Sequence, residues 1–106
     1  MNYKPDRWLV VKIQKSEETI YKLFGSWGGG YTYGESWRMN SGITSITEDE
    51  RYYYFHGNSG SCYQCNKEMY GSTSYGWSII KQMEERVKDI TLTVMEEQTN
   101  WKEIIK

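Results

Sequence analysis

Residues 74–95 read SYGWSIIKQMEERVKDITLTVM, and a change of period inside this stretch decides the fold class. Up to Val87 the apolar side chains recur at helical spacing. Trp77, Ile80, Met83 and Val87 share one stripe with Ile79 beside it, while Lys81, Glu84, Glu85 and Lys88 lie outside it. Ser72, Thr73 or Ser74 can cap the start. From Ile90 the period becomes two: Ile90, Leu92 and Val94 alternate with Thr91, Thr93 and Met95, the pattern of a strand. The spacing predicts a helix over about residues 73–89, followed by a strand.

Strand patterns also dominate the chain before the helix. Residues 8–13 and 19–24 alternate on either side of the polar turn Lys15-Ser16-Glu17-Glu18, as in a hairpin. Residues 25–34 read as a long loop. Residues 37–40 and 43–47 read as strand pieces interrupted by a bulge at Ser41-Gly42. Glu48-Asp49-Glu50 is a turn. Residues 51–56 return as a strand, with Tyr52 and Tyr54 on one face and Tyr53 and Phe55 on the other, which fits a central position. Residues 57–60 form a loop, and 61–69 a short strand or irregular crossing. Residues 96–100 are a turn, and 101–106 are too short to assign. The expectation is one α+β domain over residues 1–106, with a mainly antiparallel sheet of four to six strands and one helix on one face.

Length and composition narrow the function classes. A chain of 106 residues has the size of one domain. No apolar run exceeds the four residues of Trp8 to Val11 or Tyr52 to Phe55, too short for a membrane helix. The start, Met1-Asn2-Tyr3-Lys4-Pro5-Asp6, lacks the apolar core of a secretory signal, so a soluble cytoplasmic protein is expected. Thirteen Lys and Arg against 14 Asp and Glu leave a net charge of −1, which argues against nucleic acid as partner. Mean hydropathy is −0.80, yet 16% of residues are aromatic, so the core is expected to be built from rings rather than aliphatic side chains.

Two motifs carry candidate chemistry. Cys62-Tyr63-Gln64-Cys65, with His56 six residues before it, offers three ligands of the kind zinc takes. A fourth would come from a carboxylate such as Glu68, from water, or from a second subunit of a homo-oligomer. The same spacing serves thiol redox chemistry, but no Pro follows and residues 66–71 are too short for the helix such a site needs. The plainer alternative is that both cysteines are small buried residues.

The second motif is GSWGGGYTYGESW, residues 25–37. It lacks the Gly-Lys-Ser/Thr ending and the following helix of a phosphate-binding loop. Its Tyr, Trp, Ser and Gly are instead the residues of adaptable recognition surfaces. Trp27, Tyr31, Tyr33 and Trp37 are the candidate binding residues, with Trp37 in the core and Tyr31 and Tyr33 exposed. Arg51 to Phe55 has the composition of a base-stacking strand, but Glu48, Asp49 and Glu50 would repel phosphates, so sheet core is the better reading. A single His and no Gly-x-Ser-x-Gly elbow lean away from an enzyme.

Residues 21–71 contain YKLFGSWGGG (21–30), GESWRMNSGIT (34–44) and SGSCY (59–63). In this texture the stretch resembles small uncharacterised proteins of marine bacteriophages. The resemblance implies a soluble protein inside an infected bacterial cell and brings no activity, ligand or catalytic residue. The reading is of a small binding module with a protein partner, the alternatives being a zinc-stabilised module and a redox protein.

Overall fold

Trp8, Leu9, Val10 and Val11 are each no more than 1% exposed, although they follow one another along a single strand. Successive strand residues point to opposite faces, so this strand is covered on both sides. The computed structural model, which describes residues 2–29 and 34–105, shows how. Strand β2 (Arg7–Lys15) lies inside a sheet ordered β4-β3-β2-β8, with β3 (Glu18–Trp27), β4 (Ser36–Met39) and β8 (Thr91–Val94), all antiparallel. A second sheet is ordered β1-β7-β6-β5, from β1 (Asn2–Tyr3), β5 (Ile43–Glu48), β6 (Tyr52–Gly57) and β7 (Cys62–Asn66). Its pairs are antiparallel except β1 with β7.

The sheet containing β2 is the middle layer of three. Trp8, Val10 and Leu23 cluster with Phe55, Tyr63, Cys65 and Trp101, the core between the sheets. Leu9, Val11 and Phe24 cluster with Ile80 of helix α1 (Ser74–Arg86) on the opposite face. Thr73 caps this helix, its Oγ1 accepting from Gly76 N at 3.1 Å. A four-residue helix α2 (Trp101–Ile104) carries Trp101 into the first core. Among the described residues no helix is long and apolar enough to cross a membrane.

The α+β class and the helix on one sheet face are as expected, but among the described residues the strands number eight and divide between two sheets. Residues 37–40 and 43–47 are not one bulged strand. Ser41 and Gly42 form a corner at which the chain leaves one sheet for the other, with Gly42 at φ 149°. A register shift does occur, between Ile43 and Ser45. Strand β3 also runs on through Gly25, Ser26 and Trp27, which were expected in the loop. Glycine serves the strand there because Pro5 lies against it: a Cβ on Gly25 would come 2.9 Å from Pro5 Cβ. The helix stops at Arg86, and its buried stripe is Gly76 and Ile80 flanked by Ile79 and Met83. Trp77, expected on that stripe, is 45% exposed.

Candidate functional site

Of the Gly/Tyr/Trp segment, Gly25, Ser26 and Trp27 end β3, and Ser36 and Trp37 open β4. Tyr31 and Tyr33 lie outside the described residues. Trp27 and Trp37 are both partly buried, on opposite faces of the hairpin. Trp37 sits opposite Ser26 and stacks on Phe24 at 5.4 Å and 10°, which places it on the edge of the helix-side core. Trp27 packs against the inter-sheet core and donates from Nε1 to the Lys4 carbonyl at 2.9 Å. Neither ring can swing freely.

Around these rings lies an open depression of about 580 Å³, lined by Tyr3, Asp6, Trp27, Ser36, Trp37 and Arg38 among others. The Asp6 carboxylate accepts from Gly28 N at 2.7 Å and ties the hairpin end to the N-terminal segment. Arg38 follows Trp37 in β4, so its side chain takes the other face. There its guanidinium lies 4.6 Å over the ring of Tyr3, which packs on Tyr63 at 4.9 Å. Burial pushes the Tyr63 hydroxyl up to about 12 against the pull of the Arg38 charge, so it stays neutral. Tyr3, Asp6 and Arg38 were missed in the sequence. Arg38 was legible from strand alternation beside Trp37, whereas nothing in the pattern announces that residues 3 and 6 fold against residues 27–38.

His56, Cys62 and Cys65 do not converge. His56 and Cys62 are cross-strand partners in β6 and β7 and share the outer face of their sheet. Cys65 is three residues further along the strand and points the other way, into the core, with its Sγ on the Tyr63 carbonyl at 3.6 Å. Among the described residues no group of three or more His, Cys, Asp or Glu is placed to hold a metal ion. Both cysteines are free. Burial raises the Cys62 thiol and holds Cys65 well above its ordinary range, the opposite of an activated thiol.

The β6 strand is central in its sheet, but only Tyr53 and Phe55 face the core, against Trp8. Tyr52 and Tyr54 stand on the outer face, where the Tyr54 hydroxyl donates to Asp49 Oδ2 at 2.7 Å. That contact, before the Tyr52 and Arg51 backbone N–H bonds, holds the Asp49 carboxyl below its ordinary value. No family model, curated protein or solved structure matches the chain.

Proposed function

We propose that the protein is a binding module that holds a partner protein at the end of the β3–β4 hairpin. The observation that carries this reading is the pair of pinned tryptophans, Trp27 and Trp37, around one open depression with Asp6, Ser36 and Arg38 on its walls. Rigid aromatic rings give large contact area at low entropic cost, and anchors of this kind dominate protein interfaces. Zinc does not enter the reading, because Cys65 faces the core and His56 and Cys62 the other side of the sheet. We take the partner to be a cytoplasmic protein of an infected bacterial cell, given the resemblance of residues 21–71 to phage proteins and two unpaired cysteines, which persist in reducing compartments.

The test fills the depression without touching the core. Ser36 is exposed and lines it, so Ser36→Tyr blocks it while the fold stays intact. Proteins captured on the wild-type chain from an extract of the producing cells are identified, made recombinantly and titrated by calorimetry. Ser36→Tyr, melting with the wild type, is expected to weaken binding by about tenfold or more, the loss of one anchored contact. Equal affinity for the blocked variant would remove the site. A heparin column adds the second class of ligand: elution in the void is expected, and retention at physiological salt would point to a polyanion instead.

A further inference from the structure

Resting on that reading, we infer that the partner segment is an acidic peptide, bound extended along β4, with a carboxylate on Arg38 and an apolar side chain two residues away against Trp27, on the face of the hairpin that Trp27, Ser36 and Arg38 share. The first ground is Arg38 itself. The ion pairs of the described residues are Lys67–Glu48 and Lys102–Glu48, so Arg38 makes no ion pair among them. It is exposed, yet the Tyr3 ring beneath it holds its planar fork in place. A preorganised guanidinium is the group that best receives a carboxylate through two parallel hydrogen bonds.

The second ground is charge complementarity. A second depression, of about 430 Å³, adjoins the first and shares Tyr3, Trp37 and Arg38 with it. Its lining includes Lys22, Arg38, Ser41, Ser59 and Ser61, and no acidic residue among the described ones. Acidic residues outnumber basic ones in this chain, 14 to 13, so a wall with two cationic and no acidic described residues runs against the composition. The Asp6 carboxylate in the first depression is already turned onto Gly28 N.

The third ground is geometry. Among the described residues, strand β4 is an edge strand that pairs with β3 alone. An extended peptide can add beside such an edge, and its alternate side chains then fall about 7 Å apart on one face. Ser36 and Arg38 are two apart on one face of β4, with Trp27 opposite Ser36, so that step carries one side chain to Trp27 and the next to Arg38. Nucleic acid fits less well, because two cations neutralise few phosphates and the molecule as a whole is anionic.

The experiment is selection from a display library of random linear peptides on the wild-type chain. Enriched peptides are expected to carry Asp or Glu two positions from Trp, Phe or Leu. The leading sequence, made synthetically, is then titrated by fluorescence anisotropy. Arg38→Gln should weaken binding by about tenfold or more, the cost of a charge-assisted contact. Arg38→Lys should restore it only in part, since a point charge lacks the fork. Arg38 is exposed, so both variants should melt with the wild type. Enrichment of apolar peptides without acidic residues, or undiminished binding by Arg38→Gln, would overturn the acidic inference and leave the tryptophan site standing. No enrichment at all would overturn it too, and the Ser36→Tyr comparison would still decide the binding reading by itself. Inorganic phosphate displacing the peptide at low millimolar concentration would also overturn it, as the mark of a general anion site.

Discussion

Single side chains decide the tightest points of the structure. Gly76 is the clearest: a Cβ there would overlap Ser72 Oγ and come 3.2 Å from Phe24 Cε1 and 3.3 Å from Ser26 Cβ. Glycine in a helix interior is worse than alanine by about 1 kcal/mol, so propensity alone favours Gly76→Ala. Overpacking works the other way by about 1–3 kcal/mol. Packing should win, and Gly76→Ala should lower the midpoint of urea unfolding, with Ser72→Ala in the same chain recovering part of the loss. A midpoint at or above wild type would mean the helix can lift off the sheet. Asp49 makes the electrostatic case. Three donors stabilise its carboxylate, the Tyr54 hydroxyl foremost, so its folded value lies below the ordinary 3.8. Such a group contributes stability that is present above its unfolded value and lost as pH falls through the lower folded one. The side-chain carbon signal of Asp49 should therefore titrate below 3.8, and Tyr54→Phe should move the midpoint back up toward it. No movement would mean that the two backbone donors are sufficient. Glu48-Asp49-Glu50 is legible as a turn from composition, but not that the Tyr54 hydroxyl reaches back to Asp49, which depends on Tyr54 being on the outer face.

At the scale of elements, period carries the information and spacing alone misleads. The hairpin of β2 and β3 and the switch from α1 to β8 are readable because alternation and the 3.6-residue stripe each repeat several times. The CxxC spacing says nothing until the element is known. On a helix or a turn, residues i and i+3 meet. On β7 they face opposite ways, about 10 Å apart along the strand, whereas a disulfide needs Cα atoms within roughly 7 Å. Mild oxidation of the native protein should thus leave both thiols of Cys62 and Cys65 intact by mass. The same treatment in denaturant should form the disulfide. A native protein two mass units lighter would require β7 to open. Alkylation at pH 8 should also be slower than for a free thiol at both positions, and slowest at Cys65, because a raised value leaves less thiolate at a given pH. The division of strands between sheets was hidden for a related reason. Ser41-Gly42 reads the same whether the chain bulges within a sheet or turns the corner into another, and only the partners of β4 and β5 distinguish the two.

For the whole molecule, the three layers account for an aromatic core in a chain of low hydropathy. Trp8 is its centre: it packs against Tyr53, Phe55, Tyr70 and Trp101 with ring centroids 4.7 to 5.9 Å apart, and its Nε1 donates to the Asn66 carbonyl. Four of these rings come from segments remote in the chain, and the last is supplied by α2, a helix of four residues that no periodic pattern could reveal. Trp101 and Trp77 therefore reverse the roles their sequence contexts imply. Trp77 stands within a convincing apolar stripe, yet it is 45% exposed because the helix presses Gly76 and Ile80 to the sheet. Trp101 stands in a stretch too short to read, yet it is 2% exposed between Trp8, Phe55 and Tyr70. Removing a buried tryptophan ring typically costs about 3–5 kcal/mol, a large share of the 5–15 kcal/mol that holds an ordinary domain together. An exposed substitution changes stability by about 0.5 kcal/mol or less. Trp101→Ala should accordingly unfold at far lower denaturant and lose the near-ultraviolet signal of the packed rings, while Trp77→Ala should unfold with the wild type. Equal losses from the two variants would mean that α2 does not close the space between the sheets, and that the layered core is held from the helix side instead.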